Sequence, residues 1–390
     1  MALAGAAVVA FTRTGTSVLS VLISWDGAWY LEAVRHGHLR LTGEDAAGRL
    51  LPTAAGFFPL YPLLVRAADV VLPGGAPTAA VVVATATGAS ATVLVAVLAE
   101  RLGRHARAAG SGSGPVQADA DLGVRAAALF SFAPGAFVLS MAYAEGLLLT
   151  AAAACLLALL DRRWVLAGVA AALAGATRPP GAVLVVCCAW AAVQELRGRP
   201  SGRPSGGERK GGERKGGERK GADRRALLAP VLAPIGLLAY FTYLWRETGD
   251  PGYWFRVERE VWRERVDLGR NTVERALDVV GDPLGESGEL ILALGLLFTV
   301  VAGVLLVRLR PPAPVLLFTA GVLGLSLASA TLGARPRFVL AAFPLVIAVA
   351  ARARGVAFSV LLGASAASMP LLLVFYSKGY FELIPGAPQP

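Results

Sequence analysis

Residues 289–332 read ELILALGLLFTVVAGVLLVRLRPPAPVLLFTAGVLGLSLASATL. Two apolar runs, 289–307 and 313–332, flank a break made of Arg308, Arg310 and prolines. Each run reaches the roughly 18–20 residues that a helix needs to cross a bilayer. The pattern recurs, and spans are predicted at about 2–23, 76–99, 123–141, 145–160, 164–177, 181–196, 226–245, 289–307, 313–332, 338–351 and 355–376. The expectation is an all-α polytopic membrane protein with about 10–11 transmembrane helices in one domain over residues 1–390.

Composition agrees. The 390 residues are 55% hydrophobic and only 16% charged. Soluble domains carry about 25% charged residues. Cys155, Cys187 and Cys188 all fall in apolar runs, which suits small buried side chains rather than a disulfide framework or a zinc site. Abundant Ala and Gly, with Arg far ahead of Lys, fit a high-GC bacterial source. The apolar start, interrupted by Arg13, lacks the charge order and cleavage site of a signal peptide, so a short first membrane helix is expected.

A net charge of +10 invites a nucleic-acid reading, but its distribution points elsewhere. With the N-terminus inside, Arg101, Arg104, Arg107, Arg162, Arg163, Arg308, Arg310, Arg352 and Arg354 fall in short cytoplasmic segments. Acids such as Asp26, Glu32, Glu44, Asp45, Glu145 and Asp250 fall outside. That is the positive-inside pattern. Making 58–72 a full span would invert everything downstream. Its two prolines, Arg66 and Asp69 also suit a re-entrant or interfacial helix, within a first outer loop at 24–75.

The cytoplasmic loop at 197–225 contains GGERKGGERKGGERK, a low-complexity run with no apolar face to bury. It reads as a solvated linker, with adhesion to anionic headgroups as the alternative. Residues 253–268 place Trp254, Val257, Val261 and Leu268 on one stripe, as expected for an amphipathic helix in the membrane interface.

The outward turns hold the unusual chemistry. They carry Asp26 between Trp25 and Gly27, Glu145 beside Tyr143, Arg178 in ATRPPG, and Arg335 and Arg337 around Pro336. A carboxylate beside aromatics is a candidate general base, or simply an acid marking a helix end. Guanidinium groups at a membrane edge either clamp phosphate through a planar fork or snorkel to water. His36 and His38 alone are a weak metal signal.

The run WDGAWYLEAVRHGH (25–38) followed by FFPLYPLLVR (57–66) resembles the mannosyltransferases related to GPI mannosyltransferase II, the PIG-V type. The segment with Pro134, Ser140, Tyr143 and Glu145 looks like that family's P-x-x-x-x-x-S-x-x-Y-x-E. ATRPPG, TGDP and the Arg-Pro-Arg followed by Phe343-Pro344 also fit, so the resemblance runs from about residue 24 to 350. Two departures are His38, where the family has an aromatic, and the basic repeat at 206–220.

The resemblance implies a GT-C glycosyltransferase architecture in the cell membrane, with the active site on the extracytoplasmic face. It implies transfer of mannose from polyprenyl-phosphate mannose to an acceptor hydroxyl, with Asp26 as the catalytic base. Trp25, Tyr30, Tyr61, Tyr143, Glu145, Arg178, Arg335 and Arg337 are then the expected substrate-binding residues. The partners are a polyprenyl-phosphate sugar donor, an unknown glycan, glycolipid or protein acceptor, and the bilayer, with no nucleic acid. No cofactor is required, and a divalent metal is compatible but not demanded. The competing readings are a lipid or solute transporter and a noncatalytic subunit of an envelope assembly.

Overall fold

A computed structural model of the chain describes residues 1–13, 15–39, 43–46, 48–108, 121–198, 223–281, 287–329 and 336–383. The helices, in order, are α1 (Ala2–Thr12), α2 (Val18–Leu22), α3 (Asp26–His36), α4 (Leu60–Asp69), α5 (Gly75–Ala108), α6 (Leu122–Ser131), α7 (Glu145–Leu160), α8 (Trp164–Gly175) and α9 (Val183–Leu196). There follow α10 (Leu228–Leu232), α11 (Ile235–Thr248), α12 (Tyr253–Glu260), α13 (Arg270–Gly281), α14 (Ser287–Leu309), α15 (Ala313–Leu327), α16 (Pro336–Ala341), α17 (Pro344–Arg352) and α18 (Gly355–Leu383). Among the described residues there is no strand, only the isolated bridges Glu44–Leu50 and Val266–Ser329.

The protein is an all-helical, multi-pass membrane protein. Five described helices are long and apolar enough to cross a bilayer: Gly75–Ala108, Pro179–Leu196, Arg224–Thr248, Glu289–Leu309 and Gly355–Lys378. The bent pair Leu122–Ser131 and Pro134–Ser140 makes up to six. Four further apolar helices, Ala2–Thr12, Glu145–Leu160, Trp164–Gly175 and Ala313–Leu327, are shorter than a full crossing. The expected 10–11 spans therefore divide into long helices and short or broken ones. The outer surface is apolar, with Leu297 60% and Val307 64% exposed, and side chains of this kind suit hydrocarbon rather than water.

The breaks have local causes. The predicted span 2–23 is interrupted after Thr12 by Arg13 and Gly15, whose φ of 78° favours glycine. Ser17 then restarts the chain as α2 through a reciprocal capping box with Ser20. The span 123–141 turns by 78° before Pro134, which has no N–H to continue the ladder. Pro344 likewise separates α16 from α17 inside the predicted span 338–351. The 58–72 segment forms only the short α4, packed against α3 and α5, as its prolines suggest.

The amphipathic helix ends sooner than its stripe. Only Tyr253–Glu260 is helical; Arg263 and Leu268 take positive φ, and Leu268 is 87% exposed. Val257 is buried, while Trp254 and Val261 pack half-buried against the same cluster. The sequence reading thus overextended the stripe by one turn and missed α13.

Lipid is as apolar as leucine, so close van der Waals packing holds membrane helices together. Between α5 and α7 that packing reaches backbone contact. A Cβ on Gly146 would lie 2.7 Å from the Gly88 nitrogen and 2.9 Å from the Ala84 carbonyl oxygen. Cys155, Cys187 and Cys188 are fully buried in the same core.

Candidate functional site

Two acids open helices. Asp26 is the first residue of α3 and Glu145 the first of α7. Carboxylates there face unsatisfied N–H groups and the positive helix end, a favourable interaction of about 0.3–1 kcal/mol. Arg178 immediately precedes the 3₁₀ turn Pro179–Ala182, and Arg337 is the second residue of α16. Four distant stretches of chain thus deliver two acids and two arginines to one place.

The arginines link the acids into a chain. Arg337 Nη1 donates to Asp26 Oδ2 at 3.1 Å, and Arg178 Nη1 lies 3.6 Å from the same oxygen. Arg178 Nη1 also donates to Glu145 Oε1 at 2.7 Å. Glu145 is 5% exposed at its side chain, and its Oε2 has no hydrogen-bond partner among the described residues. Asp26, Arg178 and Arg337 keep 18%, 17% and 25% of their side-chain surface open. The cluster balances two negative against two positive charges, and its open side belongs to Asp26 and the guanidinium groups.

Aromatic side chains surround it. The Arg337 guanidinium lies 4.5 Å from the Phe338 ring centre and 5.7 Å from that of Tyr143, within cation–π range. Tyr30 is buried and packs edge-on against Tyr61 and Phe57, both at 4.9 Å. Tyr61 is fully buried and donates its hydroxyl to Ala80 O at 2.8 Å. It therefore fixes α4 on α5 behind the cluster. Trp25 takes φ 58°, a conformation that side chains other than glycine adopt at a cost, and its indole donates to Tyr376 O at 2.9 Å. That bond ties α18 to the start of α3.

The structure brings together Asp26, Tyr143, Glu145, Arg178 and Arg337, with Tyr30, Tyr61 and Trp25 as flanking packing and anchoring residues. Arg335 lies outside the described residues. His36 sits 4.0 Å from Glu32, whereas His38 packs on Tyr240 with ring centres 5.5 Å apart. Burial, then the charge of Arg66, pushes the His38 imidazole down to about 4. Among the described residues, no group of three or more His, Cys, Asp or Glu side chains is arranged to hold a metal.

Two features next to the cluster escaped the sequence reading. Glu258, on α12, interacts with the charges of Glu264, Arg178 and Asp26. Burial first, then Glu264, raises its carboxyl to about 8. Beside it stands an aromatic wall: Trp262 meets Trp29 edge-on at 5.3 Å and Phe57 at 5.5 Å. An acid adjoining the Val257 and Val261 stripe was the available signal for Glu258. Farther along the first outer loop, a polar recess of about 480 Å³ is lined by Glu44, Glu247, Asp250, Tyr253 and Arg256 among others. Arg256 pairs there with Glu44 at 3.0 Å and Asp250 at 3.7 Å.

Comparison of the chain with protein-family models, with curated proteins and with solved structures gives no match in any of the three.

Proposed function

We propose that the protein is a membrane glycosyltransferase of GT-C type, related to the PIG-V mannosyltransferases. It moves mannose from polyprenyl-phosphate mannose to an acceptor hydroxyl on the non-cytoplasmic face. The observation that carries this reading is the convergence of Asp26, Glu145, Arg178 and Arg337, four members of the motifs behind the resemblance, into one partly open cluster.

The chemistry suits a lipid-phosphate donor. At rest, both arginine contacts to Asp26 fall on Oδ2. A phosphodiester entering from the open side competes for the guanidinium forks, which match phosphate geometry. Arg337 then turns from Asp26 to the donor and releases the carboxylate for work. Asp26 takes the proton of the acceptor hydroxyl as its oxygen bonds to the anomeric carbon. The carbon–oxygen bond to phosphate breaks, and the polyprenyl monophosphate leaves with the electron pair. Arg178 and Arg337 stabilise the charge that develops on it, an electrostatic role fixed in advance by the cluster. Glu145, buried behind, keeps Arg178 oriented.

The test is direct. Purified protein in lipid nanodiscs is incubated with polyprenyl-phosphate [¹⁴C]mannose and native membrane extract. The reading expects label to move into a lipid, glycan or protein acceptor. Intact donor after prolonged incubation, together with uptake of an unmodified lipid into proteoliposomes, would favour a transporter instead.

A further inference from the structure

Gly56 marks an unfilled corner beside the ion cluster. A Cβ built there would lie 2.6 Å from Trp262 Nε1 and 3.2 Å from Glu258 Oε1, so two polar groups reach one point above a residue with no side chain. Gly56 cannot shift freely, because its carbonyl accepts from Trp254 Nε1 at 3.3 Å. The Glu258 carboxyl and the Trp262 indole N–H make no hydrogen bond among the described residues, and both residues are half-buried. Their polar atoms therefore point to space that a ligand can enter.

The walls of that corner are aromatic. Trp29, Phe57 and Trp262 are each half-buried, with Trp29 and Phe57 stacked nearly parallel at 6.4 Å and Trp262 edge-on to both. Flat aromatic faces next to one N–H donor and one carboxyl match a pyranose ring, whose C–H face is apolar and whose rim is hydroxyl. A purely apolar ligand would leave both polar groups buried and unmatched, at a cost of about 1–3 kcal/mol each.

We propose that Gly56, Glu258 and Trp262, walled by Trp29 and Phe57, form a binding subsite for a hexopyranose. The subsite lies beside the Asp26–Arg178 cluster and takes the sugar of the acceptor, which rests on the transferase reading; sugar binding as such does not. The carboxyl is raised to about 8 by burial and by Glu264 and Asp26, with Arg178 opposing. Tyr240 of α11 adds a neutral phenol on the side where α11 packs. Below that pH Glu258 is a neutral acid that both donates to and accepts from a hydroxyl. As pH rises through 8 it loses the donor, so sugar binding weakens.

The experiment uses the full chain in nanodiscs and methyl α-D-mannopyranoside as probe, read by tryptophan fluorescence. The expected result is saturable binding at pH 6.5 that weakens at pH 9. Gly56→Ala should reduce it at least tenfold, because the added methyl occupies the corner. Glu258→Gln keeps the shape and both hydrogen-bonding roles, so it should bind and lose the pH dependence. Absence of saturable binding to the parent protein overturns the proposal. So does a response to octanol alone, which makes the recess a lipid groove. Unchanged binding in Gly56→Ala overturns it too, and if that variant does not fold, a pH dependence that survives in Glu258→Gln does the same. Probe binding without mannosyl transfer would leave the subsite standing and sink the transferase reading. Transfer with the probe indifferent to both variants would do the reverse.

Discussion

Replacing Arg178 with Met should destabilise the protein by about 3–5 kcal/mol, the cost of leaving a buried charge without its partner. The location of that cost is specific. Glu145 Oε1 has the Arg178 guanidinium at 2.7 Å, and Oε2 has no hydrogen-bond partner among the described residues. With Arg178 gone, a carboxylate only 5% exposed has nothing to balance it. Asp26 suffers less, since it keeps Arg337 at 3.1 Å. Glu145→Gln alone should be milder, because Arg178 still lies 3.6 Å from Asp26 and is 17% exposed. The double variant should therefore be more stable than Arg178→Met by about 1–3 kcal/mol, a coupling of the size found for residues in one network. Equilibrium unfolding by SDS in mixed micelles, followed by tryptophan fluorescence, supplies the four corners of the cycle. Additivity of the two substitutions within about 0.5 kcal/mol would refute the claim that Glu145 and Arg178 act as a buried pair.

Arg337→Lys keeps the charge but not the planar fork or the ring stacking on Phe338, so the donor KM should rise about tenfold with little loss of stability; an unchanged donor titration makes Arg337 an interfacial anchor. Gly135→Ala would set a methyl against the backbone of Pro336 and 2.7 Å from the Arg337 nitrogen. Overpacking of this kind costs about 1–3 kcal/mol, and turnover should fall with it as Arg337 moves off Asp26; normal unfolding and turnover would show that α16 yields without consequence. A cysteine at Gly252 should react with an impermeant thiol reagent in intact cells while one at Arg197 stays silent, and the opposite pattern would place the ion cluster on the cytoplasmic side.

The membrane character and most helices were legible because apolar runs report themselves one residue at a time. Glu145–Leu160 was bounded correctly from sequence, since an acid and a charged turn frame it. Breaks inside spans were harder. Pro134 and Pro344 were visible, but whether a proline kinks a helix or ends it depends on what packs around the freed carbonyls. The extent of α12 was misjudged because Val266 leaves the helix to bridge Ser329, a partner distant in sequence. At the site, the charged members could be named from their motifs. Their pairing could not, since it depends on how four helix starts are brought together. Tyr61 shows the converse: a motif tyrosine whose hydroxyl is already taken by Ala80. Glu258 and Trp262 matter only through their meeting over Gly56, and nothing in linear spacing reports that.

The most direct test of the account is the turnover of polyprenyl-phosphate mannose by the parent protein and by Asp26→Asn, with Glu145→Gln as comparison. General-base catalysis contributes about 10²–10⁴-fold, so Asp26→Asn should lower turnover at least a hundredfold while donor affinity changes little. Glu145→Gln should retain a larger share of turnover, because its carboxylate orients Arg178 rather than meeting the acceptor. A folded Asp26→Asn protein that turns over donor at the parent rate would contradict the account.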